Sequence, residues 1–100
     1  MKNRSELREI IVKVLYQTLI YDEAKIDYDV NDLIKEQLEV ENDFVNSVAS
    51  GVLKDKKTLI NYVNKYLVDW TFDRLSKVDQ AIILVGVYEL TSSDTPAIVA

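Results

Sequence analysis

Apolar residues recur along this chain at the spacing of helices, and one late stretch is apolar almost all the way round. Leu7, Ile10, Ile11, Val14, Leu15 and Thr18 stand three and four apart, the repeat of a single helical face. Val12, Tyr16, Leu19 and Ile20 widen that stripe toward its end. Asn3 is placed to cap this helix, with Glu6 at the reciprocal position of a capping box. Burying five such aliphatic side chains contributes roughly 10 kcal/mol gross, before chain entropy is subtracted. Tyr21 to Asp29 reads as a loop rich in carboxylates. Val30, Leu33, Ile34 and Leu38 give a short second helix its inner face. Asp43 is the expected cap of a third helix carrying Phe44, Val48 and Val52, in which small Ala49 and Gly51 admit a close neighbour. Lys54 to Lys57 reads as a polar break, and Leu59, Ile60, Val63 and Leu67 mark a fourth helix ending near Trp70.

The last helix differs from these. Ser76 is a capping residue with Asp79 three positions on, and Ala81 to Tyr88 holds no charged residue. A helix apolar on nearly every side belongs in the middle of a core. The pattern therefore predicts an all-α fold: a compact bundle of several helices around a central buried helix at about residues 78–90, with Ile82, Leu84 and Val85 inside. No composition shift or repeat divides the chain, so residues 1–100 are read as one domain.

Composition narrows the function. Two glycines and one proline leave little room for an all-β design. The run from Ala81 to Val87 is far too short to span a bilayer, and the charged N-terminus is no secretory signal, so a cytoplasmic protein with no membrane partner is expected. There is no cysteine for a disulfide or thiolate site and no histidine to act as a base near neutral pH. Asp22, Glu23, Asp27 and Asp29 are the densest carboxylates, and a solvated acidic loop explains them better than a metal does. Ser76 is better explained as a cap than as a nucleophile. No catalysis, cofactor or metal is expected. The net charge of -5 disfavours a generic polyanion surface, so any nucleic-acid site must be a local basic patch. Lys2, Arg4 and Arg8 form one at the start of the first helix. Arg4 and Arg8 are four apart and share a face, read as distinct from the Leu7, Ile11, Val14 stripe, with Tyr16 further along it. Guanidinium groups pair with phosphate and an aromatic ring offers a base a stacking platform. From the residues alone, solvated arginines and a core-edge tyrosine explain the same pattern. Lys54, Lys56 and Lys57 are a second basic run, read as a solvated helix junction with a phosphate contact as the alternative. Trp70 is read as core packing.

The run from Trp70 to Leu90, W-x-x-x-R-L-x-x-V-D-x-A-I-x-x-x-x-V-Y-E-L, followed by Asp94 and Pro96, resembles the NusB family of transcription antitermination factors. Leu7-Arg8-Glu9 and Val14-Leu15-Tyr16-Gln17 are similar to the family's first helix, and Phe44 with Gly51-Val52 matches its F-x-x-x-L-x-x-G-V stretch. The match is weak from about Tyr21 to Asn42. The resemblance implies a non-catalytic factor that binds boxA-type single-stranded RNA together with the ribosomal protein NusE, and tethers it to the RNA polymerase antitermination complex. By position, Arg4 and Arg8 fall on family arginines and Tyr16 on the family's aromatic. Lys2, Arg4, Arg8 and Tyr16 are thus the expected RNA-binding residues. Ser5 and Glu6 stand where relatives carry further basic residues, which lowers the expected affinity or makes it depend on a partner.

Two other readings fit the same helices. One is the N-terminal RNA-binding domain of an rRNA cytosine methyltransferase. The other is a structural module that self-associates without binding RNA, so copies of this chain are a further candidate partner. Thr95-Pro96 reads as a helix start, and in the family two more helices begin here. The chain thus looks like a member lacking its C-terminal helices, with part of the central helix left uncovered.

Overall fold

The computed structural model of this protein describes residues 2–92. They form four helices, α1 (Arg4–Ala24), α2 (Val30–Gln37), α3 (Asp43–Asn64) and α4 (Lys77–Ser92), with a 3-10 turn at Phe72–Arg74 before the last. The all-α expectation holds. The helix start expected at Thr95-Pro96 lies outside the described residues.

The capping box at Asn3 forms in both directions. The Glu6 amide donates to Asn3 Oδ1 at 2.9 Å, and the Asn3 amide donates to Glu6 Oε1 at 3.3 Å. That cap fixes where α1 begins, and its register then turns Leu7, Ile10, Ile11, Val14, Leu15, Thr18 and Leu19 inward, all of them buried. The Thr18 hydroxyl is satisfied within the helix by the Leu15 carbonyl at 2.7 Å. α1 runs further than the polar pattern suggested. Tyr21 to Ala24 is helix, not loop. Tyr21 still packs on the core and stacks on Tyr28, ring centroids 6.0 Å apart. Asp22 and Glu23 are held by Lys56 and Lys77 at 2.8 and 2.7 Å, so two of the expected loop carboxylates pin the end of α1 to α3 and α4. The helix stops at Lys25, in the left-handed region at φ 58. Asp29 caps α2 through the Asn31 amide.

α3 is one helix where the sequence suggested two. Asn42, rather than Asp43, is its cap and accepts from the Val45 amide at 3.1 Å. Asp43 is the first helical residue, where its charge suits the helix dipole. Lys54 to Lys57 breaks nothing. Val52, Leu59 and Val63 keep one face buried across that stretch, and the polar residues are the turn that points outward. Gly51 matters by its size, because a Cβ there would run into the ring and hydroxyl of Tyr88 on α4. The missing side chain thus leaves the space that the end of the Tyr88 ring occupies against α3.

The connection from α3 to α4 is fastened by Phe72, which is 2% exposed. Its amide donates to Asn64 Oδ1 and its carbonyl accepts from Gln80 Nε2, each at 2.8 Å. Gln80 is buried and satisfied by that bond. Phe72 therefore takes the core seat expected for Trp70, and Trp70 is 54% exposed.

α4 starts at the Ser76 cap, whose Oγ accepts from the Asp79 amide at 3.1 Å. It packs on α1 and α3 through Ala81, Leu84 and Val85. The flank beside Val85 is open. Val78, Ile82 and Leu90 are 48%, 52% and 71% exposed. Ile82 is therefore not a core residue: it lies about 60° round the helix from Val85, on a flank that is left half exposed. The patch expected from missing C-terminal helices turns on residues after Ser92, which lie outside the described residues. Among the described residues, no helix is long and apolar enough to cross a membrane.

This geometry separates two neighbouring substitutions. Leu84→Ala removes a side chain that is 1% exposed and should cost about 3 kcal/mol of stability. Ile82→Asp should leave a folded, cooperative domain that binds less of a hydrophobic dye. Urea unfolding followed by circular dichroism measures both, and a collapse of the Ile82 variant would place α4 differently.

Candidate nucleic-acid interface

The expected basic patch begins where α1 begins. Lys2, Arg4 and Arg8 are exposed there, and Tyr16 is 37% exposed three turns further on. The structure does not gather these four into one cluster. Arg4 precedes Ile11 by seven residues, two helical turns, so it lies in line with the buried stripe and not on a separate face. Its guanidinium carbon sits 3.9 Å above the centre of the Phe44 ring, at the start of α3. Arg8 turns the other way. Its Nε donates to both carboxylate oxygens of Glu89 on α4, at 2.9 and 3.1 Å. The bond to Glu89 raises the Arg8 pKa above its ordinary value, so Arg8 stays charged at any working pH.

The two arginines thus brace α1 against different helices. A guanidinium lying over a ring by its carbon keeps N–H groups to offer a phosphate. One bound by a carboxylate must give up that partner first. Arg4 and Lys2 also border an open groove of about 980 Å³, walled by Leu7, Leu38, Phe44 and the segment between α2 and α3. That segment brings Glu39 and Glu41, and the start of α3 brings Asp43, to the same groove. The site is of mixed sign.

Sequence reasoning missed Glu89 and the role of Phe44 in this region. Phe44 was visible as an apolar residue of the third helix and as a motif residue, not as the partner of Arg4, and Glu89 stands 81 positions from Arg8. No local pattern links residues that far apart. The Lys54 to Lys57 run divides as well: Lys56 is paired with Asp22, while Lys54 and Lys57 point outward beside Thr58.

The described residues form an all-helical domain in which Lys2, Arg4 and the Phe44 ring meet an open groove at the start of α1. The sequence places the chain more narrowly. The NusB family profile matches residues 5–100. A transcription antitermination protein NusB from Staphylococcus haemolyticus (strain JCSC1435) is 30% identical over 95 residues, covering 94% of this chain and 74% of that protein. The protein of the same name from Staphylococcus aureus (strain JH9) is 34% identical over 87 residues, covering 82% and 67%. This chain belongs to the NusB family. No solved structure gives a significant match.

The Arg8–Glu89 pair is 47% and 25% exposed on its two sides, so solvent screens it. A double-mutant cycle with Arg8→Gln and Glu89→Gln should give a coupling of about 0.5 kcal/mol that shrinks with added salt. Zero coupling at low salt would show that the pair does not brace α1 against α4.

Proposed function

We propose that this protein is a non-catalytic transcription antitermination factor of the cytoplasm. It binds boxA-type single-stranded RNA together with ribosomal protein NusE and tethers that RNA to the RNA polymerase antitermination complex. Membership of the NusB family across nearly the whole chain carries this reading. The exposed cations Lys2 and Arg4 beside the groove at the start of α1 support an RNA contact there. Their job is to hold phosphate, and Tyr16 is the side chain on which a base would stack. Tethering needs no covalent step and no cofactor.

Arg8 contributes on different terms. Binding phosphate through Arg8 requires exchange of Glu89 for the ligand. Charge reversal at Arg8 therefore confounds two effects, because it also sets two carboxylates against each other. Lys2 and Arg4 make the cleaner test.

Replacing both with glutamine should weaken binding of a boxA-type RNA and lower the thermal unfolding midpoint by about 5 °C at most, through loss of the exposed Arg4–Phe44 contact. The slope of log affinity against log salt should flatten by roughly 0.7 for each phosphate that is no longer neutralised. The measurement is fluorescence anisotropy with labelled RNA, with and without NusE. Wild-type affinity in the double variant would remove the start of α1 from the RNA site. Absence of boxA binding by the unmodified protein, even with NusE, would defeat the proposed function itself.

A further inference from the structure

The outward face of α3 has a feature that the reading above leaves unused. Lys54, Lys57, Thr58, Asn61, Tyr62 and Lys65 are all exposed. The three lysines fall within about 80° of arc around the helix axis and extend over about 16 Å of its length. Between Phe44 and Asn64 the one carboxylate is Asp55. It lies about 100° round from Lys54 and is partly buried. In a protein with 17 acidic residues and a net charge of -5, this is a carboxylate-free cationic stripe. Its lysines are also uncommitted. Lys56 and Lys77 form ion pairs, whereas Lys54, Lys57 and Lys65 form none among the described residues.

Aromatic rings border the same stripe at its C-terminal end. Tyr62 is 43% exposed and Tyr66 70%, with ring centroids 5.1 Å apart. Trp70 follows four residues after Tyr66, in the connection that Phe72 fastens to Asn64 at the end of α3, and the guanidinium of Arg74 lies 5.5 Å from the centre of its ring. Asp69 and Asp73 belong to this loop and turn, not to the helix face. A row of free cations running into exposed rings suits a flexible strand with both phosphates and unstacked bases. Lysines hold such a backbone and rings stack its bases without regard to sequence. A duplex would offer the rings no base faces.

We propose that the outer face of α3, from Lys54 to Lys65, together with Tyr62, Tyr66 and Trp70, is a second contact surface for single-stranded RNA. Along α3 it begins roughly 15 Å from the Arg4–Phe44 contact and ends roughly 30 Å from it, so it adds to the N-terminal site and does not overlap it. The choice of RNA as the strand rests on the function proposed above; the charge and stacking argument does not.

Trp70 is the one tryptophan in the chain, so its fluorescence reports this surface alone. The probe is a single-stranded oligouridylate of roughly twelve nucleotides, titrated into the full chain at several salt concentrations. It should quench Trp70. Lys54→Glu, Lys57→Glu and Lys65→Glu together should lower affinity at least tenfold and flatten the salt slope by roughly 2. The matching Lys→Gln set should have a smaller effect in the same direction, with both variants folded by circular dichroism. Tyr62→Ala with Tyr66→Ala should lower affinity about tenfold and leave the salt slope unchanged. The Lys2→Gln, Arg4→Gln variant should still show Trp70 quenching, which separates failure of this surface from failure of the N-terminal one. Unchanged affinity and salt slope in the lysine variants would overturn the proposal. So would quenching by a duplex RNA as strong as by the single strand.

Discussion

One stripe on α1 is a wall shared by the other three helices. Each of α2, α3 and α4 packs against α1, and Ile11 and Val14 are wholly excluded from solvent between them. Burial of this kind is the largest favourable contribution to folding, at roughly 1.5–3 kcal/mol for each large aliphatic side chain. It also sets a constraint of register. A rotation of α1 by one residue turns the stripe by about 100° and exposes it. The capping box at Asn3 is therefore more than a local bond. It fixes which residues start the helix, and so which face all three neighbours meet.

Polar groups then settle where the packed elements end. The exposed ion pairs Asp22–Lys56, Glu23–Lys77 and Arg8–Glu89 each contribute little stability alone, because water and salt screen them. Their geometry still matters, since each ties α1 to α3 or α4 at a helix end. The buried bonds from Asn64 and Gln80 to the Phe72 main chain are costlier to break. They hold the 3-10 turn in place, seat the Phe72 ring in the core and leave Trp70 outside.

The distribution of cations follows from the same architecture. Arg8, Lys56 and Lys77 are spent on ion pairs, and Arg4 and Arg74 lie over rings. A count of basic residues near one end of the chain therefore overstates what a ligand meets there. The lysines on the outer face of α3 understate themselves in sequence, because they are spread over three helical turns and interrupted by apolar core positions.

Sequence alone determined the elements that depend on neighbours a few residues away. The α1 stripe, the caps at Asn3 and Ser76, the inner face of α2 and the burial of Leu84 and Val85 all follow from helical periodicity and side chain-to-amide bonds. The long motif from Trp70 to Leu90 was enough to suggest the family. Tertiary structure alone decided the rest. It joined the segments on either side of Lys54–Lys57 into one helix, since Val52, Leu59 and Val63 bury a common face against neighbours that local polarity does not reveal. It gave Phe72 the core seat and opened one side of α4, since an apolar residue is buried only where another element covers it. It drew Arg4 to Phe44 and Arg8 to Glu89, since a charged side chain finds its partner across space, where spacing along the chain carries no signal.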